Sequence, residues 1–260
     1  MTKTAPRATD IAAQAVRRHV SKGVPQMGAD AVVSVRRITR VLIVEDEGLF
    51  RELLQVGLSQ EKQLEVVGAF GDAETALQKA PGLCPDAALL DIELGGSMNG
   101  VRLGLELREH LPALGIVLLS NHQDPAYLAA VPATASAGWA YLRKKSVGDL
   151  PTLTRAITGV AAGLLVLDPG IVEKAATRKG SVLESLTPRQ HEVLALIAQG
   201  FTNEAIADKL FLASKSVENH ISQIYRQLNI DTSDPHTQPR VTAVLKYLRN
   251  TSAGPRAKPR

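Results

Sequence analysis

Hydrophobic and polar positions divide the chain into two regions with different periodicity. In residues 38–162, apolar runs of strand length alternate with segments whose apolar residues recur every three or four positions. Such runs are typical of strands buried on both faces, and the intervening segments are typical of amphipathic helices. The pattern predicts an α/β domain with a five-stranded parallel sheet covered by helices on both faces. The predicted strands are Val41–Val44, Leu64–Ala69, Ala87–Leu90, Ile116–Leu119 and Ala140–Arg143.

Residues 184–250 show helical periodicity throughout, and this predicts an all-α domain of four helices. The first helix is expected to open at Thr187, where a threonine, a proline and a glutamine have the spacing of a capping box. The other three helices are expected at about 203–210, 215–228 and 241–248.

Proline, glycine and cysteine add three local expectations in the α/β domain. Pro81 and Gly82 are expected to end the second helix at Ala80, because proline disrupts a helix interior. A short helix is expected at Pro125–Val131. The single cysteine, Cys84, excludes an internal disulfide and a cysteine-built zinc site, and it is expected to be a small packed residue.

Three further segments carry neither periodicity. Residues 163–183 contain several glycines and a proline and are expected to be a linker, while 1–37 and 251–260 are expected to be disordered basic ends. Net charge is +5 over residues 1–37, −4 over 38–183 and +3 over 184–260. An acidic middle between basic ends fits a metal-binding module joined to a nucleic-acid-binding one. No apolar stretch approaches the roughly 18 residues of a membrane span.

Polar residues suited to one chemical task follow four of the predicted strands. Glu45 and Asp46 come after the first strand, Asp91 after the third, Ser120 after the fourth and Lys144 after the fifth. The carboxyl ends of parallel strands meet at one edge of a sheet, where ligands bind. Carboxylates there can hold a hard divalent ion such as Mg²⁺, and a carboxylate oxygen can attack phosphorus when a metal neutralises the phosphoryl group. A lysine and a hydroxyl can contact the phosphoryl oxygens.

Four segments at these positions resemble receiver domains of two-component systems. They are VLIVEDEGLFR at 41–51, PDAALLDI at 85–92, LLS at 118–120 and YLRK at 141–144. The resemblance covers about residues 38–162. It implies a flavodoxin-like fold, Mg²⁺ as the cofactor and a cognate histidine kinase as the phosphoryl donor.

The resemblance also implies a role for each polar residue at this edge. Asp91 would accept the phosphoryl group, Ser120 and Lys144 would contact it, and Tyr141 would be an aromatic switch coupled to Ser120. Tyr141 can equally be an ordinary packed aromatic, and Lys144 lies in a basic run that a solvated surface would also show. The implied Mg²⁺ ligands are three side chains and one backbone carbonyl, those of Glu45, Asp46, Asp91 and Glu93.

The chain departs from the usual receiver pattern in two places. Gly95 stands where relatives commonly have proline, and the loop 95–99 is one residue longer, which bears on kinase choice and phosphoryl lifetime. The stretch 133–138 is rich in small residues, so the sequence does not indicate which surface of the domain changes on phosphorylation.

The third C-terminal helix is expected to present a polar face to DNA. Asparagine, serine and glutamine can hydrogen-bond base edges in the major groove, and lysine and arginine can contact phosphates. For the glutamate on this face, base reading and simple surface exposure both remain open. The predicted DNA-binding residues are Lys215, Glu218, Asn219, Ser222, Gln223 and Arg226.

Segments 186–194, 197–207 and 216–221 resemble LuxR-type helix-turn-helix domains. A receiver followed by this domain resembles the NarL/FixJ class of response regulators. The resemblance implies a cytoplasmic transcription regulator that binds double-stranded promoter DNA and is a homodimer at least when phosphorylated. It implies no enzyme activity beyond Mg²⁺-dependent self-phosphorylation and dephosphorylation at Asp91.

Two alternatives follow from the same pattern. One is a degenerate regulator that binds DNA without phosphorylation. The other is a flavodoxin-like cofactor enzyme, which the 3% aromatic content and the absence of a glycine-rich loop after the first strand disfavour.

Overall fold

A computed structural model describes residues 38–121, 136–234 and 237–251 of the chain. The N-terminal segment 1–37, the helix expected at Pro125–Val131 and the tail beyond residue 251 lie outside these ranges. Among the described helices, none has the length and apolar character needed to cross a membrane.

A parallel sheet forms the centre of the first domain. Its strands are β1 Thr39–Val44, β2 Leu64–Phe70, β3 Ala87–Asp91, β4 Gly115–Ser120, β5 Trp139–Arg143 and β6 Val166–Leu167. They lie in the order β2-β1-β3-β4-β5-β6, and every pair is parallel. Alternate residues of one strand point to opposite faces, so Leu42 and Val44 enter one apolar core and Val41 and Ile43 enter the other. The uninterrupted apolar runs are therefore explained by burial on both faces.

Helices cover both faces of the sheet. They are α1 Gly48–Ser59, α2 Ala73–Leu83, α3 Gly100–His110 and α4 Leu150–Ala161. Leu58 of α1 and Ile157 of α4 join the core that contains Ile43, whereas Ala76 of α2 and Leu103 of α3 join the opposite core. Each helix therefore buries its apolar stripe against the sheet, as the spacing of its apolar residues predicts.

The predicted count of five strands is wrong by one, because the sheet has a sixth strand inside the predicted linker. Val166 and Leu167 pair with Ala140 and Tyr141 of β5. A two-residue strand shows no periodicity, so only its pairing partner reveals it. The run Leu164–Asp168 nevertheless ends in an acid, as the runs of β1 and β3 do.

The expected end of the second helix and the expected packing of the cysteine are also wrong. Helix α2 continues through Pro81 to Leu83. The helix ends three residues after the proline, at Cys84, which adopts a left-handed conformation with φ 44° and donates its backbone N–H to the carbonyl of Ala80. Cys84 itself is exposed rather than packed.

The second domain is helical, as predicted. A short helix α5 Pro169–Val172 precedes α6 Pro188–Ala198, α7 Asn203–Leu210, α8 Ser214–Gln227 and α9 Pro239–Asn250. The predicted capping box is present: the Thr187 side chain accepts from the backbone nitrogen of Gln190, and the Gln190 side chain accepts from the backbone nitrogen of Thr187. Val217, Ile221 and Ile224 of α8 are buried, so the opposite side of that helix is free to face outward.

Candidate functional site

Three carboxylates converge at the carboxyl edge of the sheet. Glu45 and Asp46 follow β1, and Asp91 is the last residue of the neighbouring strand β3. One oxygen from each carboxylate lies within 4.8 Å of the others. The main chain supports two of them, because Glu93 N donates to Asp91 Oδ1 at 3.1 Å and Gly95 N donates to Asp46 Oδ2 at 3.1 Å.

Lys144 lies against the same carboxylates. It begins a 3₁₀ turn directly after β5, and its Nζ is 2.8 Å from Glu45 Oε1 and 3.0 Å from Asp91 Oδ2. Its ammonium also lies 4.9 Å from the centre of the Phe50 ring. Only 13% of the Lys144 side chain is exposed, so this lysine belongs to the site and not to a solvated basic surface.

Burial and pairing shift the pKa values of two of these groups. Burial raises the pKa of Glu45 above its ordinary value, and the nearby Asp91 adds to this, although the hydrogen bond from Lys144 opposes it. Burial acts to lower the pKa of Lys144, but its hydrogen bonds to Glu45 and Asp91 together outweigh that effect and raise it. Lys144 is therefore held as a cation at neutral pH.

The residues present fit a divalent cation. Oε2 of the buried Glu45 has no hydrogen-bond partner within the described part of the chain, which is costly for a buried carboxylate oxygen. Three carboxylates and one ammonium leave two negative charges in excess. A hard oxygen donor set with this charge suits Mg²⁺.

Ser120 and Tyr141 lie on the strands beside the carboxylates. Ser120 ends β4 and pairs in register with Arg143 of β5. Tyr141 lies two residues earlier on β5, and both Ser120 and Tyr141 are fully buried. The structure thus brings the predicted hydroxyl to the same sheet edge as Asp91 and places the predicted switch residue in the core.

A glycine that sequence reasoning did not single out shapes the loop beyond Asp91. A Cβ atom on Gly100 would lie 2.0 Å from the carbonyl oxygen of Asp91, so any other residue would push the start of α3 away from the site. Its position directly after the capping Asn99 was the available signal.

The predicted DNA-reading residues all lie exposed on helix α8. Lys215 Nζ pairs with Glu218 Oε2 at 2.9 Å, which locally neutralises the glutamate that phosphates would otherwise repel. Gln223 Oε1 accepts a hydrogen bond from the buried Gln190 of α6 at 3.0 Å, so part of its hydrogen-bonding capacity is used inside the domain. Asn219 and Arg226 are exposed on the same helix.

Comparisons with known proteins identify both domains. Residues 41–157 match the response regulator receiver domain family, and residues 184–234 match bacterial regulatory proteins of the luxR family. The DNA-binding transcriptional activator DevR/DosR of Mycobacterium tuberculosis is 33% identical over 226 residues, which cover 84% of this chain and 100% of that protein. The transcriptional regulatory protein DegU of Brevibacillus brevis is 29% identical over 232 residues, with 81% and 93% covered.

A solved structure of the RcsB response regulator from Salmonella typhimurium is 22% identical and covers 83% of this chain and 99% of its own, with a TM-score of 0.43. The likeness to DevR/DosR spans both domains in the same order. The chain therefore belongs to the NarL/FixJ class of response regulators, with a receiver domain followed by a LuxR-type DNA-binding domain.

Proposed function

We propose that a histidine kinase phosphorylates this regulator on Asp91 and that phosphorylation controls promoter binding by the LuxR-type domain. The supporting observation is the meeting of three carboxylates and Lys144 at one sheet edge. In the transfer, a bond forms between an Asp91 carboxylate oxygen and phosphorus while the phosphorus–nitrogen bond of the phosphohistidine breaks. Because the kinase and the promoter must both be reached, we place the regulator in the cytoplasm.

Several groups of the site would support this transfer. Lys144 would contact the phosphoryl oxygens, and Glu93 N already orients the Asp91 carboxylate. The side chains of Glu45, Asp46 and Asp91 and the carbonyl of Glu93 would hold Mg²⁺, which neutralises phosphoryl charge when bound.

The phosphoryl group carries about −1.5 to −2 charges in place of the single charge of the Asp91 carboxylate, so the site becomes more negative and Lys144 balances it only in part. In the proposal, Ser120 moves toward the phosphoryl oxygens, and Tyr141 turns into the space that Ser120 leaves. Both residues are buried on neighbouring strands, so a movement of Ser120 changes the space that Tyr141 can occupy.

Removing the charge of Asp46 should weaken Mg²⁺ binding by at least about tenfold, since even groups that only support metal ligands commonly contribute that much. Asp46 is exposed, so Asp46→Asn should leave the fold intact. Isothermal titration with MgCl₂ measures the affinity. The neighbouring exposed residue is the control, and Glu47→Gln should bind Mg²⁺ like the wild type. Equal affinities for the two variants would remove Asp46 from the ligand set.

The exposed side of α8 supports the DNA-binding part of the proposal. Its polar residues lie opposite the buried Val217 and Ile224, so the helix can enter a major groove without disturbing the domain core. In the proposal, a phosphorylated homodimer binds two half-sites of double-stranded DNA.

Replacing Asn219 by alanine should weaken specific DNA binding by roughly 1–3 kcal/mol if its side-chain amide makes two hydrogen bonds to one base edge. The probe is a duplex that the phosphorylated wild-type protein selects from a random-sequence library, and fluorescence anisotropy measures the affinity. Gln227, exposed at the end of the same helix and outside the predicted set, is the control as Gln227→Ala. An unchanged affinity for Asn219→Ala would exclude Asn219 from base reading.

Neither alternative reading gains support. The degenerate regulator is disfavoured by the 3.0 Å contact between Lys144 and Asp91, which keeps the residues of the phosphotransfer site together. The cofactor enzyme is disfavoured by the match of residues 41–157 to receiver domains.

A further inference from the structure

A buried ion pair lies one residue away from the site lysine. Arg143 is the last residue of β5, and Asp168 directly follows β6. The guanidinium Nη2 lies 2.6 Å from Asp168 Oδ1, and the side chains of Arg143 and Asp168 are 6% and 0% exposed. Arg143 Nε donates to the same oxygen at 2.7 Å, and the backbone nitrogen of Arg143 donates to Asp168 Oδ2 at 3.1 Å. Both carboxylate oxygens of Asp168 therefore hold the end of β5.

Within the receiver domain, the ion pair lies next to the residues of the proposed phosphotransfer site. Arg143 pairs in register with Ser120 and directly precedes Lys144. The backbone nitrogen of Asp168 donates to the carbonyl of Tyr141 at 2.8 Å. Asp168 is therefore hydrogen-bonded to the end of β5, the segment that contains the proposed switch residue Tyr141 and directly precedes Lys144.

Asp168 is also connected to the helical domain, through hydrogen bonds at the two ends of helix α5. Asp168 Oδ1 accepts from Gly170 N at 2.9 Å and so caps the short helix α5. At the end of that helix, the carbonyl of Val172 accepts from the Tyr247 hydroxyl of α9 at 3.2 Å. Burial raises the pKa of Tyr247 to about 12, so its hydroxyl remains a donor at neutral pH.

The position next to the ion pair requires glycine. A Cβ atom on Gly170 would lie 1.9 Å from Arg143 Nη2, so the guanidinium occupies space that only glycine leaves. Buried ion pairs seldom add net stability over apolar residues of the same size, because both charges lose their hydration. A role in connecting two parts of the molecule accounts better for this pair than a role in stability.

We propose that the Arg143–Asp168 ion pair transmits the phosphorylation state of Asp91 to helix α9 of the DNA-binding domain. The route runs from Lys144 and Ser120 to Arg143, from Arg143 to Asp168, and through α5 to Tyr247. Asp168 acts through Arg143 and does not touch the reacting atoms, so it is a positioning residue. This inference rests on the proposed phosphorylation of Asp91.

The test uses the full chain and the variant Asp168→Asn, which keeps the size of the side chain and one carbonyl acceptor but removes its charge. Acetyl phosphate with Mg²⁺ is the phosphodonor, and mass spectrometry measures the label. Amide hydrogen exchange over 239–250 reports on α9, and anisotropy with the library-selected duplex reports on DNA affinity. In the wild type, phosphorylation should change exchange in α9 and raise DNA affinity by about 5- to 150-fold, the usual range of allosteric coupling. Asp168→Asn should take the label, but both responses should fall to near zero.

A milder variant covers the case in which Asp168→Asn fails to fold. Tyr247→Phe removes one hydroxyl at the far end of the route and should also reduce the response of α9 while the label remains. Glu106→Gln, which removes the exposed ion pair with Arg102 on α3, is the control and should respond like the wild type. A full response in Asp168→Asn would overturn the inference, and where Asp168→Asn does not fold, a full response in Tyr247→Phe would do so. A labelled wild type with no response in α9 would overturn it as well. A wild type that takes no label would instead overturn the proposed phosphorylation of Asp91.

Discussion

Asp91→Asn should abolish labelling by acetyl phosphate in the presence of Mg²⁺. Asparagine matches aspartate in size and can keep the hydrogen bond from Glu93 N, but its amide oxygen does not form a stable bond to phosphorus. The substitution also removes one negative charge from a crowded acidic site, so the fold should not be weakened. Intact-mass spectrometry measures the label, and thermal unfolding by circular dichroism checks the fold.

Asp86, at the opposite end of the same strand, provides the matched control. Its carboxylate accepts from the backbone nitrogen of Arg40 at 3.0 Å, and the length of β3 separates it from the acidic edge of the sheet. Asp86→Asn should therefore take the label at the wild-type rate. Equal labelling of Asp91→Asn and Asp86→Asn would show that the phosphoryl group is attached elsewhere.

Lys144→Met should slow labelling by roughly 100- to 1,000-fold, the usual effect of removing one preorganised donor from a charged transition state. Methionine keeps most of the aliphatic length of lysine and can still pack near Phe50, so the change isolates the ammonium. Without it, Glu45 and Asp91 lose the cation that now lies within 3.0 Å of both. The rate is measured at saturating Mg²⁺, so a change in metal affinity does not enter the comparison.

A variant of the adjacent Lys145 tests whether the effect is specific to Lys144 or is a general effect of positive charge. Lys145 is exposed, and Lys145→Met removes the same charge one residue further along the chain. We expect its labelling rate to equal that of the wild type. If both variants slowed labelling equally, the surrounding positive charge and not the Lys144 contact would be responsible.

Much of the site could be predicted because its residues stand at the ends of strands. Glu45, Asp91, Ser120 and Lys144 are distant in sequence, yet parallel pairing brings the carboxyl ends of their strands to one edge. Tandem apolar runs with acids at their ends are enough to indicate this arrangement. The outward face of α8 was predictable for a similar reason, because Val217, Ile221 and Ile224 define its buried side.

The Arg143–Asp168 pair could not be predicted in the same way. Arg143 stands in a basic run that suggests a surface, and Asp168 stands in a segment that resembles a linker. Their burial depends on β6 adding to the edge of the sheet, and that strand is only two residues long. The exposure of Cys84 likewise depends on where α2 ends.

The sequence alone determined the order of strands and helices along the chain, the acids at the strand ends and the polar side of helix α8, because these follow from local periodicity and from the geometry of parallel strands. Only the tertiary structure decided that Lys144 lies against two carboxylates, that the predicted linker contributes a sixth strand, and that Asp168 joins the receiver edge to the helical domain. Those contacts link residues from 25 to 99 positions apart, and no local pattern specifies which distant groups will share a buried, poorly hydrated space.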